Sequence, residues 1–562
     1  MSKLNTPAEL EELRKSLLSK QDGGKPCIAV CGGTGCHNQD NGDIIAAFKK
    51  ETGKAALKGK VDVKEIGCPG LCSEGPVVVV HPEGICYVRV KPEDVEEIVS
   101  QTVAGKVVDR LLYTDPDSGE KAVHEQDIPF YKNQVRLLTA NNSKIDPRNI
   151  EDYIAAGGYS ALTKVINGIS PEQVIEEIKE SGLRGRSGGG FPAGRKWEAG
   201  RKAEGDIKYI ICNCHEGDPG AFVDRRLMEG NPHSIIEGMI IGAYAIGSTE
   251  GFIFVGDEFP LTVHNTETAI KQAEEYGLLG ENILGSGLNL TIRINIDGGD
   301  YVCGESTSLM ASMEGKIGEP RTKYDHATER GLWARPTVLN NLQTWACVPY
   351  IINQGAAGFN SIGTENSKGT RVFSIVGKVK NVGLVEVPMG MTLREIIFNI
   401  GGGIRGNKKF KAVQVGGPLG GFVPESKLDM PVDFNEMSDA GFSPGPSLIV
   451  LDEDSCVFYM IKYYLEFLYD ESCGKCTPCR DGIRQMLRIV TRITEGKGKE
   501  GDFELLELLS EVQADAALCA LGQGASGPFI SGISHFREGF EFHIKEGRCP
   551  VGLCDALAGK QE

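Results

Sequence analysis

The C-terminal part of the chain has the clearest periodicity of hydrophobic and polar positions. Apolar residues recur every three to four positions over 458–469 and again over 482–495. That spacing places them on one face of a helix. Beyond residue 452 the pattern therefore predicts a bundle of four amphipathic helices.

Shorter apolar segments predict strands in the rest of the chain. Near the N-terminus the predicted order is strand 27–30, helix 43–51, strand 61–66 and a strand pair at 76–80 and 84–90. This order is typical of a small thioredoxin-like α/β unit. Further strands are predicted at 209–212, 290–296, 371–376 and 383–387, with helices at 171–180 and 392–400.

Length and charge limit the classes of partner. The 562 residues are enough for three or four domains. The formal charge of −17, from 77 acidic and 60 basic residues, argues against nucleic acid as a partner. No apolar run is long enough to span a membrane, and the N-terminus lacks the apolar core of a signal peptide. We therefore expect a cytoplasmic protein.

Seventeen cysteines in such a chain favour metal ligation over disulfides. Cys473, Cys476 and Cys479 form a CxxCxxC run, and Cys519 follows after 39 intervening residues. Three closely spaced thiolates with one distant partner fit a 4Fe–4S cluster better than zinc, for which paired CxxC motifs are typical. A zinc site and unrelated thiols are the alternatives. A cluster at this position implies a protein that transfers electrons singly.

A second set of cysteines lies in the predicted thioredoxin-like unit. Cys31 and Cys36 follow its first strand, and Cys68 and Cys72 follow its second. Loops at neighbouring strand ends can converge, so that two thiolates reach each iron of a 2Fe–2S cluster. Zinc and a redox dithiol are the alternatives, although neither pair has the CxxC spacing of such dithiols.

A third set of metal-ligand candidates lies close to the C-terminus. His543, Cys549 and Cys554 have the spacing H-x5-C-x4-C, and Cys456 is the candidate for a fourth ligand. We predict a structural zinc site with three cysteines and one histidine. The alternatives are that these residues are free thiols or that they are ligands of another cluster.

A glycine-rich loop at 181–197 is the candidate phosphate-binding loop. Gly185 and Gly188 leave backbone N–H groups accessible, and Arg186 and Lys196 can add positive charge. The run is not the dinucleotide fingerprint, because no strong strand directly precedes it. A flexible loop without a ligand is the alternative.

A second glycine-rich segment, 298–304, leads into Glu305, where a helix can begin. An acid at a helix start suits the positive end of the helix dipole. The side chain can also accept a bond from a ribose or from a ring N–H. Both interpretations of Glu305 stay open on the sequence.

Several segments together resemble a known family. These are 183–197, 213–226, 301–315, 331–341 and the Cys473 run. They resemble the flavin-bearing, NADH-oxidising subunit of respiratory complex I, and equally the corresponding subunits of NAD-linked hydrogenases and formate dehydrogenases. The resemblance covers roughly residues 150–550. The fused N-terminal unit is similar to that in subunits of iron-only hydrogenases.

The resemblance implies an FMN on the glycine loop and NAD(H) stacked over it. The flavin site that it implies consists of Gly185, Arg186, Gly188, Lys196, Asn213, Asn340 and Asn341. The nucleotide site that it implies consists of Glu216 and Asp218 as the catalytic pair at the nicotinamide, Phe191 and Tyr301 against the rings, and Gly304, Glu305 and Lys323 at the ribose and phosphates.

Three segments depart from the family pattern. Cys214 and His215 replace a small residue and an acid, and Ser187 replaces a glycine. Residues 324–327 read Tyr-Asp-His-Ala where the family has Pro-Pro-Phe-Pro. These positions border the nucleotide pocket, so the preference between NADH and NADPH stays open.

The predicted fold is α/β and multidomain. Its parts are a thioredoxin-like 2Fe–2S domain (1–120), a Rossmann-like FMN and NADH core (121–365), a β-grasp insert (366–445), a helical 4Fe–4S domain (446–545) and a tail with candidate zinc ligands (546–562).

The predicted function is that of an NADH-oxidising or NAD-reducing diaphorase subunit, which exchanges a hydride with FMN and passes single electrons to the clusters. The expected partners are a small thioredoxin-like 2Fe–2S subunit, a hydrogenase or formate dehydrogenase subunit, and ferredoxin if the assembly bifurcates electrons. The competing hypothesis is a scaffold subunit that keeps the clusters but binds no nucleotide.

Overall fold

The computed structural model describes residues 3–21, 24–37 and 41–554. In this part of the chain, no helix is both long enough and apolar enough to cross a membrane. Helix α1 (Pro7–Gln21) comes first. Leu10 and Leu17 of this helix join the hydrophobic core around Ile154, and Arg14 donates to the Ile154 carbonyl over 3.0 Å. The helix therefore packs on the second unit of the chain, although it precedes the first.

The first unit is a four-stranded sheet with helices. Its elements are β1 (Cys27–Cys31), α2 (Thr34–His37), α3 (Asn41–Thr52), β2 (Asp62–Ile66), β3 (Val78–His81), β4 (Ile85–Tyr87) and α4 (Val95–Val103). The strand order is β2–β1–β3–β4, with β2 parallel to β1 and β3 antiparallel to it. Phe48 and Ile98 pack against the aliphatic side chains of β1 and β3. The predicted thioredoxin-like arrangement is confirmed.

A linker with little regular structure leads from α4 to the second unit. The linker contains β5 (Tyr113–Thr114), β6 (Lys121–Ala122) and α5 (Pro129–Lys132). The second unit begins with α6 (Ile150–Ala155), α7 (Ser160–Ile166), α8 (Pro171–Glu180), α9 (Ala193–Lys202), β7 (Tyr209–Asn213), α10 (Val223–Gly230) and α11 (Pro232–Ile246). It continues with β8 (Glu250–Gly256), α12 (Pro260–Glu275), β9 (Thr291–Asp297), α13 (Ser306–Met313), α14 (Ala327–Arg330), β10 (Thr337–Asn341) and α15 (Leu342–Asn360).

All four strands of this unit are parallel, in the order β10–β7–β8–β9. The chain runs from β7 outward through β8 to β9 and then returns to the other side of β7. In open parallel sheets, ligands bind where the order reverses, beyond the carboxyl ends of the strands. Asn213 and Asn341 are register partners at that end of β7 and β10. The topology therefore opens a crevice between these two asparagines.

The third unit is a five-stranded sheet. Its elements are β11 (Thr370–Gly377), β12 (Gly383–Pro388), a π-helical segment (Glu395–Ile400), β13 (Phe410–Val415), β14 (Gly421–Pro424), α16 (Phe434–Asp439) and β15 (Ser447–Asp452). The order is β12–β11–β15–β13–β14. The boundary predicted at residue 446 is therefore too early, because β15 lies in the middle of this sheet, parallel to β11 and antiparallel to β13.

The last unit is helical, as predicted. It consists of α17 (Val457–Glu471), α18 (Thr477–Thr494), α19 (Asp502–Ala516), α20 (Ala520–Gly524) and α21 (Gly527–Lys545). The four longer helices share one hydrophobic core, in which Leu465, Ile483, Leu506 and Phe540 are buried. The same core includes Ile211 of β7, so the bundle and the parallel sheet share one hydrophobic core.

Candidate functional site

The glycine loop before α9 borders open space. The N–H of Gly185 donates to the Phe191 carbonyl over 2.8 Å and closes the loop. A Cβ on Gly189 would meet no atom within 4 Å, and one on Gly188 would meet only the Pro444 carbonyl oxygen at 3.7 Å. Gly190 has φ +58, and a Cβ there would lie 2.8 Å from the Phe434 ring. The loop therefore has the free backbone surface that an FMN phosphate requires.

Two cations accompany the loop, of which Lys196 is half-buried and Arg186 is fully buried. The Lys196 ammonium donates to the Leu339 carbonyl over 2.8 Å and has no acidic partner within the described residues. Burial, with a smaller effect of Lys323, lowers the pKa of Lys196 to about 8. Arg186 is fully buried, and its Nε and Nη1 have no hydrogen-bond partner in the described part of the chain. Such unpaired donors fit an anionic ligand.

The three predicted asparagines lie at the switch point of the parallel sheet. Asn213 donates to the Gly304 carbonyl over 3.0 Å. Asn341 accepts from the N–H of Gln343 over 3.0 Å at the start of α15. Asn340 is buried, and in the amide orientation that satisfies both its atoms it accepts from the Trp197 indole over 2.8 Å. The structure thus brings all three to the crevice, where their contacts to a flavin stay a prediction.

Glu216 is engaged with the start of α10. Its two carboxylate oxygens accept from the N–H groups of Val223 (2.5 Å), Asp224 (3.0 Å) and Arg225 (3.2 Å). Burial raises the pKa of Glu216, although these N–H groups oppose the rise. In this geometry Glu216 orients a helix, and its predicted role as a catalytic residue stays untested.

Asp218 and Tyr301 form a pair at the mouth of the crevice. Burial raises the pKa of Asp218 to about 6, against the hydrogen bond from the Tyr301 phenol. The Tyr301 ring meets Phe467 of α17 edge to face at 5.2 Å. The N–H of Tyr301 donates to Glu471 at the end of the same helix over 2.7 Å. The pair therefore links the predicted nucleotide pocket to the helical unit.

Gly304 and Glu305 continue this segment towards α13. Glu305 accepts from the N–H groups of Thr307 (2.7 Å) and Ser308 (3.0 Å) and pairs with the Lys323 ammonium at 2.8 Å. Burial opposes its ionisation, but Lys323 and Thr307 together lower the pKa of Glu305. The interpretation of Glu305 as a helix-start acid is confirmed, because one carboxylate oxygen caps α13. The other oxygen faces Lys323, which is 61% exposed, and a bond from Glu305 to a ribose or ring N–H stays a prediction.

Phe191 and His215 differ in their environments. Phe191 is 56% exposed, with the Lys196 ammonium 6.0 Å from its ring centre. An exposed ring beside a nucleotide crevice is suited to stacking. His215, which replaces an acid of the family pattern, is buried, and its Nε2 has no partner among the described residues. Burial lowers the pKa of His215, so the imidazole is neutral.

The cysteines of the CxxCxxC run surround one cavity. Cys473, Cys476, Cys479 and Cys519 line it together with Val302 and Lys475. Burial, with the nearby thiols, raises the pKa of Cys479 to about 11. Four thiols around one space are the donor set of a 4Fe–4S cluster. Val302 directly follows Tyr301, so the segment 301–305 contacts both the crevice and this cavity.

The N-terminal cysteines also converge. Cys31 ends β1, Cys36 lies in α2, and Cys68 and Cys72 flank the loop after β2. The Cys68 and Cys72 sulfurs lie 3.7 Å apart. Contacts with Cys36 and Cys68 raise the pKa of the Cys31 thiol well above its ordinary value. This all-thiol donor set, on two loops at adjacent strand ends, fits a 2Fe–2S cluster.

The third set is the most compact. The ligand atoms of Cys456, His543, Cys549 and Cys554 lie within 4.8 Å of one another, and all four residues are buried. His543 Nε2 lies 3.6 Å from the Cys456 sulfur and 3.4 Å from that of Cys554. Its Nδ1 lies 2.7 Å from the Gly539 carbonyl, which orients the ring. Three sulfurs and one nitrogen at this spacing fit a single tetrahedral ion.

Two buried residues of the site, Asp224 and Arg371, are not among those predicted from the sequence. Asp224 accepts hydrogen bonds from Asn341 and Gln343 and joins α10 to the end of β10. Arg371 of β11 donates to the Arg186 carbonyl over 3.0 Å and is fully buried. Burial, with Arg186, lowers the pKa of Arg371 to about 9. Asp224 lies within the segment 213–226 that resembles the family, but no local signal indicates its contacts, and Arg371 lies in no such segment.

A glycine loop at a parallel-sheet crevice, joined by one segment to a four-cysteine cavity, defines a flavin and iron–sulfur oxidoreductase. Comparisons with known families agree. Residues 178–350 match the Nuo51 FMN-binding domain, and 459–543 match the NADH-ubiquinone oxidoreductase-F iron–sulfur binding region. Residues 16–103 match the thioredoxin-like 2Fe–2S ferredoxin, and 371–440 match the SLBB domain.

The chain belongs to the family of the F subunits of NADH-quinone oxidoreductase. It is 48% identical over 427 residues to HndC, a subunit of the NADP-reducing hydrogenase of Solidesulfovibrio fructosivorans, covering 76% of this chain and 87% of that protein. It is 41% identical over 415 residues to the F 2 subunit of NADH-quinone oxidoreductase of Rhizobium meliloti (strain 1021), covering 74% and 99%. A solved chain of an NAD+-reducing NiFe hydrogenase in the H2-reduced state is 25% identical, with a TM-score of 0.65, covering 96% and 88%.

Proposed function

We propose that this chain is the subunit through which a hydrogenase assembly exchanges electrons with a nicotinamide dinucleotide. When bound, FMN supplies the conversion between a two-electron hydride transfer and single-electron transfers. The proposal is carried by one observation: the segment 301–305 borders the crevice through Tyr301 and Gly304 and lines the four-cysteine cavity through Val302. The flavin crevice and the cluster cavity are therefore separated by a single layer of protein.

Lys196 and Arg186 are suited to bind the negatively charged parts of a flavin at the crevice. Lys196 has a lowered pKa because, among the described residues, no acid compensates its buried charge. Negative charge beside it restores the ammonium form, so Lys196 favours an electron-rich ring edge. Arg186 has two unpaired N–H donors in the described part of the chain, and with the backbone of Gly185 and Gly188 it is suited to bind a phosphate.

The rim residues orient the dinucleotide. Asp218 has a pKa of about 6 and is ionised at neutral pH, so it can accept a bond from a carboxamide while Tyr301 keeps its carboxylate in place. Phe191 offers an exposed face for stacking. Lys323 is exposed beside Glu305, where it can bind the pyrophosphate. Asn213, Asn340 and Asn341 complete the flavin site in this proposal.

The test is an anaerobic titration of the purified chain with NADH and then NADPH, followed by flavin absorbance and low-temperature EPR. We expect bleaching of the flavin together with signals from reduced clusters, and the more effective nucleotide defines the specificity. Clusters that dithionite reduces but that respond to neither nucleotide would contradict the proposal and favour the scaffold hypothesis.

A matched pair of lysine variants makes this test specific. Lys196→Met removes the half-buried cation, and we expect loss of FMN or of its reduction by nucleotide. Lys202→Met lies on the same helix with a side chain that is 74% exposed. We expect the Lys202 variant to behave as the unmodified chain. If Lys196→Met binds FMN and is reduced by nucleotide as well as Lys202→Met, Lys196 has no part in flavin binding or reduction.

The partner in this proposal is a catalytic hydrogenase subunit. HndC is named as a subunit of an NADP-reducing hydrogenase, and the similar solved chain comes from an NAD+-reducing hydrogenase. A small 2Fe–2S subunit, ferredoxin, a formate dehydrogenase subunit and a cytoplasmic location stay predictions. Affinity purification of the tagged chain from its own host, with hydrogenase and formate dehydrogenase assays of the eluate, distinguishes the two enzymes.

We also propose that Cys456, His543, Cys549 and Cys554 hold a zinc ion. Zinc binds thiolates and imidazole in tetrahedral sites, and a closed set of four protein ligands is typical of a structural role. The burial of all four residues supports this role. Elemental analysis of the purified chain is expected to find one zinc per chain in addition to the cluster iron.

A further inference from the structure

The N-terminal cluster loops dock on helix α10. The backbones of the two units touch, because a Cβ added to Gly67 would lie 2.5 Å from the Gly230 Cα at the end of that helix. Asn142, in the linker before the second unit, donates to the Cys68 carbonyl over 3.1 Å. The start of α10 donates its N–H groups to Glu216 at the crevice. One helix of eight residues therefore contacts both the flavin crevice and the N-terminal cysteines.

Arg226 of α10 lies against the cysteine loop. A Cβ on Gly33 would lie 3.2 Å from Nη1 of Arg226 and 3.0 Å from the Cys68 Cβ. A Cβ on Gly35 would lie 3.0 Å from Nη2. Gly33 and Gly35 are two of the four residues between Cys31 and Cys36. The glycines thus allow a guanidinium to lie against the loop that carries two of the cysteines.

This guanidinium is buried, and a second residue holds it. Only 7% of the Arg226 side chain is exposed, and its Nη1 donates to Glu229 over 2.7 Å. Glu229, 2% exposed, also accepts from the Thr34 N–H over 3.3 Å and from the Thr34 hydroxyl. Arg226 Nε has no acceptor among the described residues. The guanidinium therefore keeps one buried donor that is not used within the described residues.

A buried positive charge at this place has a defined effect on a cluster. Reduction adds one electron, and therefore one negative charge, to the 2Fe–2S centre. A cation stabilises that charge strongly where water is excluded, and N–H donors to cluster sulfurs raise the reduction potential further. A guanidinium stays protonated in proteins at any pH at which they fold, so the charge of Arg226 is permanent.

We propose that Arg226, held by Glu229, raises the reduction potential of the N-terminal 2Fe–2S cluster. The cluster is thereby adjusted as an electron acceptor from the adjoining flavin crevice, and the residue that adjusts it belongs to the flavin-binding unit. The thioredoxin-like unit alone lacks this charge. The proposal concerns the cluster's potential and does not depend on nucleotide oxidation.

The test is a redox titration of the full chain with dithionite and mediators, followed by EPR. In Arg226→Met we expect the ratio of reduced to oxidised 2Fe–2S cluster, at a fixed potential, to fall about tenfold, which corresponds to about 59 mV for one electron. The C-terminal 4Fe–4S signal in the same sample is the internal reference and is expected to stay unchanged.

Arg148→Met is the matched control. Arg148, just before α6, pairs with Glu65 of β2 at 2.5 Å, but its side chain is 33% exposed. We expect this variant to change the ratio of reduced to oxidised 2Fe–2S cluster by no more than about twofold. A shift in Arg226→Met no larger than in Arg148→Met would overturn the proposal.

Glu229→Gln is expected to shift the potential of the 2Fe–2S cluster in the direction opposite to Arg226→Met. Removing the carboxylate leaves the Arg226 charge uncompensated, so the reduced fraction is expected to rise, whereas Arg226→Met lowers it. A general loosening of the contact would move both variants in the same direction, and that outcome rejects the electrostatic role. If Arg226→Met fails to retain the cluster, Glu229→Gln decides alone: a rise supports the proposal, and no change or a fall overturns it.

Discussion

The two cluster sites meet the flavin-binding unit through charges of very different exposure. At the N-terminal site, Arg226 and Glu229 are 7% and 2% exposed. At the C-terminal site, Lys475 within the CxxCxxC run is 41% exposed and pairs at 3.3 Å with Glu319, which is 33% exposed. Lys475 also donates to the Pro320 carbonyl over 3.0 Å. Both sites contain a cation next to cysteines, but only one of these cations is shielded from water.

The difference shows how burial decides the effect of a single charge. In bulk water two unit charges 4 Å apart interact by about 1 kcal/mol, and the interaction grows several-fold near a protein interior. Solvent and salt screen the exposed pair. We therefore expect the N-terminal cluster to depend on one arginine of the flavin-binding unit. The C-terminal cluster is expected to depend mainly on its own ligands.

The largest expected effect is loss of the C-terminal cluster in Cys476→Ser. Serine is a poor substitute for a thiolate ligand, so we expect the iron of this cluster and its EPR signal to be absent. Flavin bleaching by nucleotide is expected to persist. Cys86→Ser, a buried cysteine outside the three sets, is the control and is expected to keep both clusters. Unchanged iron content in the Cys476 variant would remove this residue from the ligand set.

The next effect concerns the compact site in the same helical unit. In His543→Ala we expect loss of the bound zinc and a decrease in the free energy of unfolding of roughly several kcal/mol, because binding of a structural metal contributes directly to folding. Metal analysis and thermal unfolding measure both quantities. His535→Ala, on the same helix and stacked on Phe442, is expected to retain the metal. Full metal content in the His543 variant would reject the zinc proposal.

A third prediction extends the comparison to the half-buried Lys196 on the glycine loop. Its pKa is about 8 in the folded chain and 10.5 ordinarily, so the unfolded chain binds more protons between these values. The free energy of unfolding of the flavin-free protein therefore rises with pH over this window, by up to about 3 kcal/mol. Below pH 8 the full cost of burying the ammonium is present.

Denaturant unfolding at a series of pH values measures this dependence. In Lys196→Met the rise between pH 8 and pH 10.5 is expected to disappear, whereas Lys202→Met retains it. A rise that persists in the Lys196 variant would assign the titration to another group.

The smallest effect is expected from the exposed cation. In Lys475→Met the ratio of reduced to oxidised 4Fe–4S cluster at a fixed potential is expected to change by only about twofold, because an exposed ion pair contributes little. The measurement is the same EPR titration that tests Arg226. A shift as large as that expected for Arg226→Met would break the comparison, since burial would then not decide the effect of the charge.

Much of the fold is readable where local signals agree. Helix α8 has the predicted bounds because Ser170 caps it together with Gln173, and Pro171 occupies its first position. The predicted domain boundary was wrong at β15, whose apolar residues directly precede the helical unit. No local signal indicates that this strand pairs with β11, more than 70 residues earlier along the chain.

The candidate site also has a part that the sequence predicts and a part that only the structure gives. Spacing alone grouped the cysteines of the CxxCxxC run and the His543 set, since neighbouring positions on a turn or helix lie close whatever the tertiary structure. The fourth ligand Cys456, 87 residues before His543, was only a candidate until packing placed its sulfur 3.6 Å from the histidine. Glu216 was predicted as a catalytic residue, and the structure adds that both its oxygens accept N–H groups of α10.

The sequence by itself determined the donor chemistry: which residues are soft ligands, which loop can bind a phosphate, and which segments form helices and strands. These properties depend on residue type and short-range spacing. Only the tertiary structure decided which charges are buried and what they face. Arg226 and Glu229 look like an ordinary solvent-exposed pair three residues apart on a helix, yet the docking of the thioredoxin-like unit excludes water from both. Burial is set by contacts between distant segments, and burial decides the strength of an electrostatic interaction.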